Sequence, residues 1–266
     1  MSETLRVTWV GHSTVVIDVA GVRLVTDPLL RRHAGLLRRR GGAPSGAWRG
    51  SDAVLLSHLH LDHAEVASLR MLPDAPVLAA PENVPWLERH GLRGVALAPD
   101  EWTSVGDATG AGRVEVRSVP AVHGDRPMPH RPNGTIGHLV RWSRGDDRAV
   151  VWALGDTEAY PAMADVAALA GAPVDLALVP VSGWGPRLSG GHLGPAQAAQ
   201  VCADAGVRAA VPVHWGTLHV PGGRWLPRGW MDVPGLAFGV ALADRAPGCR
   251  PVVLAPGQAW EVPVGR

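Results

Sequence analysis

The sequence predicts a layered α/β fold in which sheets are covered by helices, and three observations carry that expectation. Three runs before Asp27 alternate Val, Ile and Thr with polar residues, the period of two that marks half-buried antiparallel strands. Beyond Ser57, helical and strand patterns interleave, which sets helices against sheet faces. No change of composition and no linker divides the 266 residues, so the chain reads as one domain over 1–266.

The first strands are expected at Leu5–Val10, Thr14–Val19 and Val22–Thr26, with turns at Gly11 and Ala20-Gly21. Arg31–Gly50, rich in Arg, Gly, Pro and Ser and without periodicity, reads as a loop. A short apolar run, Ala53–Ser57, is a buried strand. Helices are expected at Glu65–Leu72, Val84–His90, Ala162–Ala170, Pro195–Ala205 and Val233–Ala243. The remaining strands are Val77–Ala80, Val95–Leu97, Val114–Val119, Ile136–Trp142, Ala149–Leu154, Leu176–Val181 and Ala209–Val213, and a hairpin-like end joins Val252–Leu254 to Ala259–Val262.

Composition narrows the function. With 46% hydrophobic and 18% charged residues the chain is globular rather than disordered. A formal net charge of +1 argues against bulk nucleic-acid binding, so any anion must be recognised locally. Two cysteines, Cys202 and Cys249, are too few for a disulfide framework and point to a reducing compartment. No apolar run reaches the length of a membrane span, and the first residues lack the pattern of a signal peptide. A cytoplasmic enzyme or binding protein acting on a small molecule is the expectation. All 25 basic residues are arginine and the aromatics are mostly tryptophan, a bias that GC-rich codons explain; the 12 histidines are not explained that way.

The chemistry is concentrated in Ser57-His58-Leu59-His60-Leu61-Asp62-His63. His58 and His60, two apart on an extended segment, project to one side and can chelate one ion, while Asp62 and His63 on the following turn can reach a second. A turn cannot complete two coordination shells. Further ligands are expected at the carboxyl ends of apolar runs: His123, Asp156 and His214, each beside a glycine or small residue. Five histidines and two carboxylates suit two divalent ions, zinc first and manganese or iron as alternatives. Two such ions bridged by a carboxylate would generate a bridging hydroxide, with Asp62 orienting it or taking its proton. The competing reading is a polar turn that starts a helix, with Asp62 as N-cap.

These residues resemble the metallo-β-lactamase superfamily, whose HxHxDH signature is met by His58, His60, Asp62 and His63, and the likeness runs to Pro256-Gly257. The resemblance implies a four-layer αββα sandwich with the metals at one edge. It also implies that His58, His60 and His123 hold the first ion, that Asp62, His63 and His214 hold the second, and that Asp156 bridges them. Gly11-His12-Ser13-Thr14, Thr26-Asp27-Pro28 and His214-Trp215-Gly216-Thr217 are similar to the branch containing ascorbate 6-phosphate lactonase and N-acylphosphatidylethanolamine phospholipase D. A histidine before the helix at Pro195 lies near the metals in that branch, which implies a proton-transfer or substrate role for His192, against a plain helix-entry role.

Other candidates are open between function and structure. His12 lines the site or caps the first turn. Trp184, in Ser182-Gly183-Trp184-Gly185, forms a pocket wall or packs a tight turn. Arg31, Arg32, Arg38, Arg39 and Arg40 form a phosphate-capturing lid or a solvated loop, and Arg126–Arg131 is a second place for substrate contact. Cys202 is a core residue, and Cys249 lies in a loop without a role. The expected function is a dinuclear metal-dependent hydrolase of a phosphodiester, lactone or other ester. The alternative is a non-catalytic, metal-dependent binder of a small molecule or nucleotide.

Overall fold

The computed structural model describes residues 3–106, 112–123, 133–225 and 227–264. In chain order its strands begin with β1 (Glu3–Gly11), β2 (Thr14–Val19), β3 (Val22–Thr26), β4 (His33–Ala34), β5 (Leu37–Arg39) and β6 (Ala53–Leu55). Helix α1 (Val66–Leu69), β7 (Val77–Ala79), α2 (Val84–Arg89), β8 (Gly94–Ala96) and β9 (Thr103–Val105) follow. Then come β10 (Arg113–Pro120), β11 (Ile136–Arg144), β12 (Asp147–Ala153), α3 (Val166–Ala170), β13 (Leu176–Pro180), α4 (Pro195–Asp204) and β14 (Ala209–Val213). The chain closes with β15 (Leu218–His219), α5 (Val233–Arg245), β16 (Arg250–Pro251) and β17 (Ala259–Val264).

Two seven-stranded sheets pack face to face, in the orders β17-β1-β2-β3-β6-β7-β8 and β16-β14-β13-β12-β11-β10-β9. Each is half antiparallel meander and half parallel, with helices covering the parallel part. Between the sheets lies a core that includes Val7, Ile17, Leu24, Leu55, Val116, Val140, Trp142, Leu178 and Val211. A second core layer packs α3, α4 and α5 on one outer face, and a third packs α1 and α2 on the other. These are the four layers, α-β-β-α, of the metallo-β-lactamase fold. No helix among the described residues is long and apolar enough to cross a membrane.

This topology aims the site. Strands β1, β3 and β6 run the same way in the first sheet, and β10, β12, β13 and β14 run the same way in the second. Residues just past their carboxyl ends therefore share one edge of the sandwich: His12, Asp27, His58, His123, Asp156, Ser182 and His214. Backbone hydrogen bonds stitch the two sheets together there, from His214 N to His12 O (3.0 Å) and from Ile136 N to Ser57 O (3.0 Å).

Three expectations need correction. The segment read as a loop over Arg31–Gly50 contains the β4–β5 hairpin, which β15 joins as a third strand. Arg39 is buried there, donating to the carbonyls of Val10 (3.1 Å) and Leu29 (2.6 Å), so it is a structural clamp. The hairpin-like end is no hairpin: β16 extends the second sheet beside β14, and β17 crosses to pair with β1 in the first. Cys249 lies in the loop after α5, as expected, and is buried there with Cys202 of α4. Two- and three-residue ladders such as β4, β9 and β15 carry no period that a sequence could display.

A packing constraint lies beside the site. Trp215, following His214, stacks on Trp9 with centroids 5.3 Å apart, and its Nε1 donates to Pro212 O (2.9 Å). Gly235 of α5 lies so close that an added Cβ would meet the indole, with Cε2 at 2.6 Å. A Gly→Ala change inside a helix ordinarily gains about 1 kcal/mol, but overpacking against a fixed ring costs about 1–3 kcal/mol. Gly235→Ala is therefore expected to destabilise the protein, read as a lower urea midpoint at unchanged slope; a raised midpoint would show that the indole can move aside.

Candidate metal centre

The centre is built from second partners inward. Asp27, just past β3 and at φ +35°, accepts hydrogen bonds from Ser57 N (2.8 Å), Ser57 Oγ (2.7 Å) and His63 Nδ1 (2.9 Å). With its proton committed to Asp27, Ser57 Oγ accepts from His58 Nδ1 (2.9 Å). His123 Nδ1 donates to Gly191 O (2.7 Å), and His214 Nδ1 donates to Ser182 O (2.9 Å). Carboxylates and carbonyls only accept, so each of these four imidazoles carries a proton on Nδ1 and turns Nε2 inward, where a metal ion can take the place of any second proton. His60 is turned the other way, with Nδ1 facing in, 3.0 Å from His123 Nε2.

The inward atoms converge. Donor atoms of His58, His60 and His123 lie within 4.8 Å of one another, as do those of His58, His63 and Asp156, and those of Asp62, His63, His214 and His12. Asp156 Oδ2 sits between the groups, 3.1 Å from His214 Nε2, 3.2 Å from His63 Nε2 and 4.0 Å from His58 Nε2. The Nε2 atoms of His58, His63 and His214, and Oδ1 of Asp156, are buried without a hydrogen-bond partner among the described residues. Each such buried polar atom costs about 1–3 kcal/mol. Inward Nε2 atoms with the Nδ1 proton held on the far side of the ring are the chemistry of a metal donor set, and these residues fit divalent ions.

Charge is as concentrated as geometry. Burial alone would raise Asp62 and Asp156, but the surrounding imidazoles, chiefly His63 for Asp62 and His214 with His63 for Asp156, hold both carboxyls well below the usual range. Burial would lower His63 and His214; the carboxylates, Asp156 foremost, outweigh it, holding His63 well above the ordinary imidazole value and His214 at about 9. Elsewhere burial wins: His12 is pushed down to about 3 by burial and by His214 despite its bond to Asp62, His60 goes to about 4, and His138, on β11, to about 4. His138 and Asp27 both border an enclosed cavity of about 20 Å³, room for one water molecule.

The structure places the remaining candidates variously. Asp62 caps no helix; the cap of α1 is Glu65, whose carboxylate accepts from Ala67 N and Ser68 N. His192 brings Nε2 to 3.3 Å from Asp156 Oδ2, with Nδ1 held near Gly190 O (3.0 Å). His12 is 1% exposed and hydrogen-bonds Asp62, so it lines no substrate space. Trp184 is 44% exposed, one residue past Gly183, which passes beside His214. It is therefore not the packed core of a tight turn. Arg126 and the rest of Arg126–Arg131 lie outside the described residues. Asp27 and Ser57 were not singled out by sequence reasoning. Thr26-Asp27 and Ser13-Thr14, two of the short motifs, turn out to be bonded to each other, Thr26 Oγ1 to Ser13 O (2.6 Å) and Thr14 Oγ1 to Asp27 O (2.8 Å).

Comparison with known proteins agrees with this arrangement. The profile of a family described as β-lactamase superfamily domain matches residues 22–215. An uncharacterized protein of Mycobacterium tuberculosis is 27% identical over 234 residues, which cover 83% of this chain and 61% of that one, so the chain spans under two thirds of that relative's length. A protein of Rhizobium johnstonii named as a metal-dependent hydrolase is 26% identical over 223 residues, covering 81% of this chain and 87% of the relative. Among solved structures, a metallo hydrolase of the archaeon Ignicoccus hospitalis shares the fold with a TM-score of 0.70 at 17% identity, over 97% of this chain and 98% of that one.

The shifts give the metal-free protein a stability optimum. Between pH 6.5 and about 4 the unfolded chain protonates His12, His60 and His138, which the folded chain keeps neutral, so stability falls as the pH drops. His214, held at about 9, stabilises fully below pH 6.5, and that contribution is lost as pH rises through 9. Urea midpoints of the chelator-treated protein should therefore peak near pH 6.5; a midpoint still climbing between pH 6.5 and 9 would contradict these assignments.

Proposed function

Because the chain belongs to the metallo-β-lactamase superfamily, we propose that it is a cytoplasmic hydrolase dependent on two divalent ions, zinc in the first place and manganese or iron as alternatives. The observation that carries this reading is the set of buried, inward-facing Nε2 atoms of His58, His63 and His214 around the Asp156 carboxylate. His58, His60 and His123 would hold one ion, Asp62, His63 and His214 the other, and Asp156 would touch both. Bound there, two ions would lower the pKa of water between them and polarise the bond under attack.

The chain's own groups supply the rest. Asp62 and Asp156, ionised at neutral pH, are available as carboxylates. His192 stands at the open side, its Nδ1 proton tied to the 189–190 backbone and its Nε2 directed at Asp156; it moves a proton to or from the substrate oxygen. The tip of the β4–β5 hairpin approaches the 58–63 turn, since a Cβ on Gly35 would lie 3.4 Å from Leu61, between His60 and Asp62. Arg32 and Arg38 are exposed on that hairpin, and their side chains have no ion pair or hydrogen bond among the described residues. Arg31 faces Glu65 at 4.0 Å, and Arg40 is paired with Asp232 at 2.6 Å. Two exposed guanidinium groups without a partner among the described residues, on a hairpin whose tip approaches Leu61, favour an anionic small molecule, and together with the resemblance at Gly11–Thr14 and His214–Thr217 they favour a phosphodiester or lactone over a plain ester.

Two measurements test the proposal. Chelation should abolish turnover, and Zn²⁺ or Mn²⁺ should restore it, in a screen containing bis(4-nitrophenyl) phosphate, a simple lactone and a 4-nitrophenyl ester. Full activity after exhaustive chelation would refute metal dependence, and no turnover of any class with ions bound would favour a metal-dependent binder. His192→Ala should lower kcat by about 10²–10⁴-fold at unchanged ion content, and an unchanged kcat would remove it from the chemistry.

A further inference from the structure

His12 is built as carefully as the candidate ligands, yet it is neither in the 58–63 turn nor among the ligands expected at His123, Asp156 and His214. It stands just past β1 at φ +55°, a backbone region that non-glycine residues rarely adopt and that costs about 1–3 kcal/mol. Three hydrogen bonds hold it there. Its N–H donates to Thr217 Oγ1 (2.8 Å), and its carbonyl accepts from Trp9 Nε1 (2.8 Å) and from His214 N (3.0 Å). The effect is to deliver a fully buried imidazole behind His214, with ring centroids 4.0 Å apart, and to place Nε2 2.9 Å from Asp62 Oδ2. A carboxylate only accepts, so Nε2 carries the proton in that bond.

That oxygen is the one that faces the centre, 3.7 Å from His63 Nε2 and 3.6 Å from His214 Nε2. Asp27 steadies His58 and His63, but it does not reach Asp62 or His214. The ring contacts of His12 are with His63 and His214 and with none of His58, His60 or His123.

We propose that His12 is a positioning residue for one half of the centre, fixing Asp62 Oδ2 where it meets His63 and His214 and so setting the affinity of the second ion alone. The inference rests on the two-ion reading given above. Anchors of this kind are worth about 10–100-fold in metal affinity when removed.

The test uses the full chain, stripped with chelator and titrated with Zn²⁺ alone against a chromogenic competitor, with melting temperature followed in parallel. His12→Asn tolerates positive φ but is too short to reach Asp62, whereas His12→Gln can place an amide N–H near the position of Nε2. The expected result is two ions in the wild type, the weaker bound about 10–100-fold less tightly in His12→Asn with the tighter unchanged, and partial recovery in His12→Gln. Wild-type affinity for both ions in His12→Asn overturns the inference, and so does an equal loss of both, which would mark a merely structural residue. If the wild type takes up fewer than two ions, the dinuclear reading falls and this inference with it; a two-ion wild type with an unaffected His12→Asn sinks this inference alone.

Discussion

The Asp27 carboxylate holds three donors, and much of the edge of the sandwich depends on that arrangement. Its bonds to Ser57 N and Oγ fix where the chain leaves β6, and its bond to His63 Nδ1 fixes where the turn returns. Through Ser57 it also fixes the proton on His58. One buried anion thus fixes the Nδ1 proton of two imidazoles, His63 directly and His58 through Ser57, and leaves Nε2 of both rings facing inward.

Burying so many polar groups is costly, and the fold around them offsets that cost. Asp27, Asp62 and Asp156 are packed with His12, His58, His60, His63, His123 and His214 where the sheets meet, and His58, His63 and His214 are fully enclosed. The apolar layers between and outside the sheets are continuous and well filled, with Trp9, Trp142, Trp152 and Phe238 among the buried side chains. Strain collects at the same edge. Of the five non-glycine residues with positive φ among those described, three are His12, Asp27 and His214. A sandwich this large can hold three residues in costly conformations where its strands end, and those are the residues that aim the site.

Much of this was legible in the sequence because strand ends are legible. Alternating Val, Ile and Thr located β1 to β3, and a polar His or Asp after an apolar run located His123, Asp156 and His214. Those residues lie far apart in the chain, and a common strand direction brings them together. What stayed hidden has no local signature. Arg39 looked like its neighbours in an arginine-rich loop, and only the fold shows it clamping Val10 and Leu29. Asp27 looked like the end of a strand, because the groups it serves lie 30 and 36 residues further on. The crossing of β17 to β1 was unreadable for a similar reason, since two short apolar runs near each other suggest a hairpin and nothing in them names a partner over 250 residues away.

That crossing shapes how the molecule comes into being. Glu3 pairs with Val264, so β1 and its outer neighbour are made over 250 residues apart. Until β17 arrives, the free edge of β1 presents unpaired backbone groups beside Val7 and Trp9, an open template for another chain. A nascent molecule can lay down the turn at His58–His63 early, but His214 and β17 come long after it. Over that interval the sandwich is unfinished and depends on not meeting its neighbours.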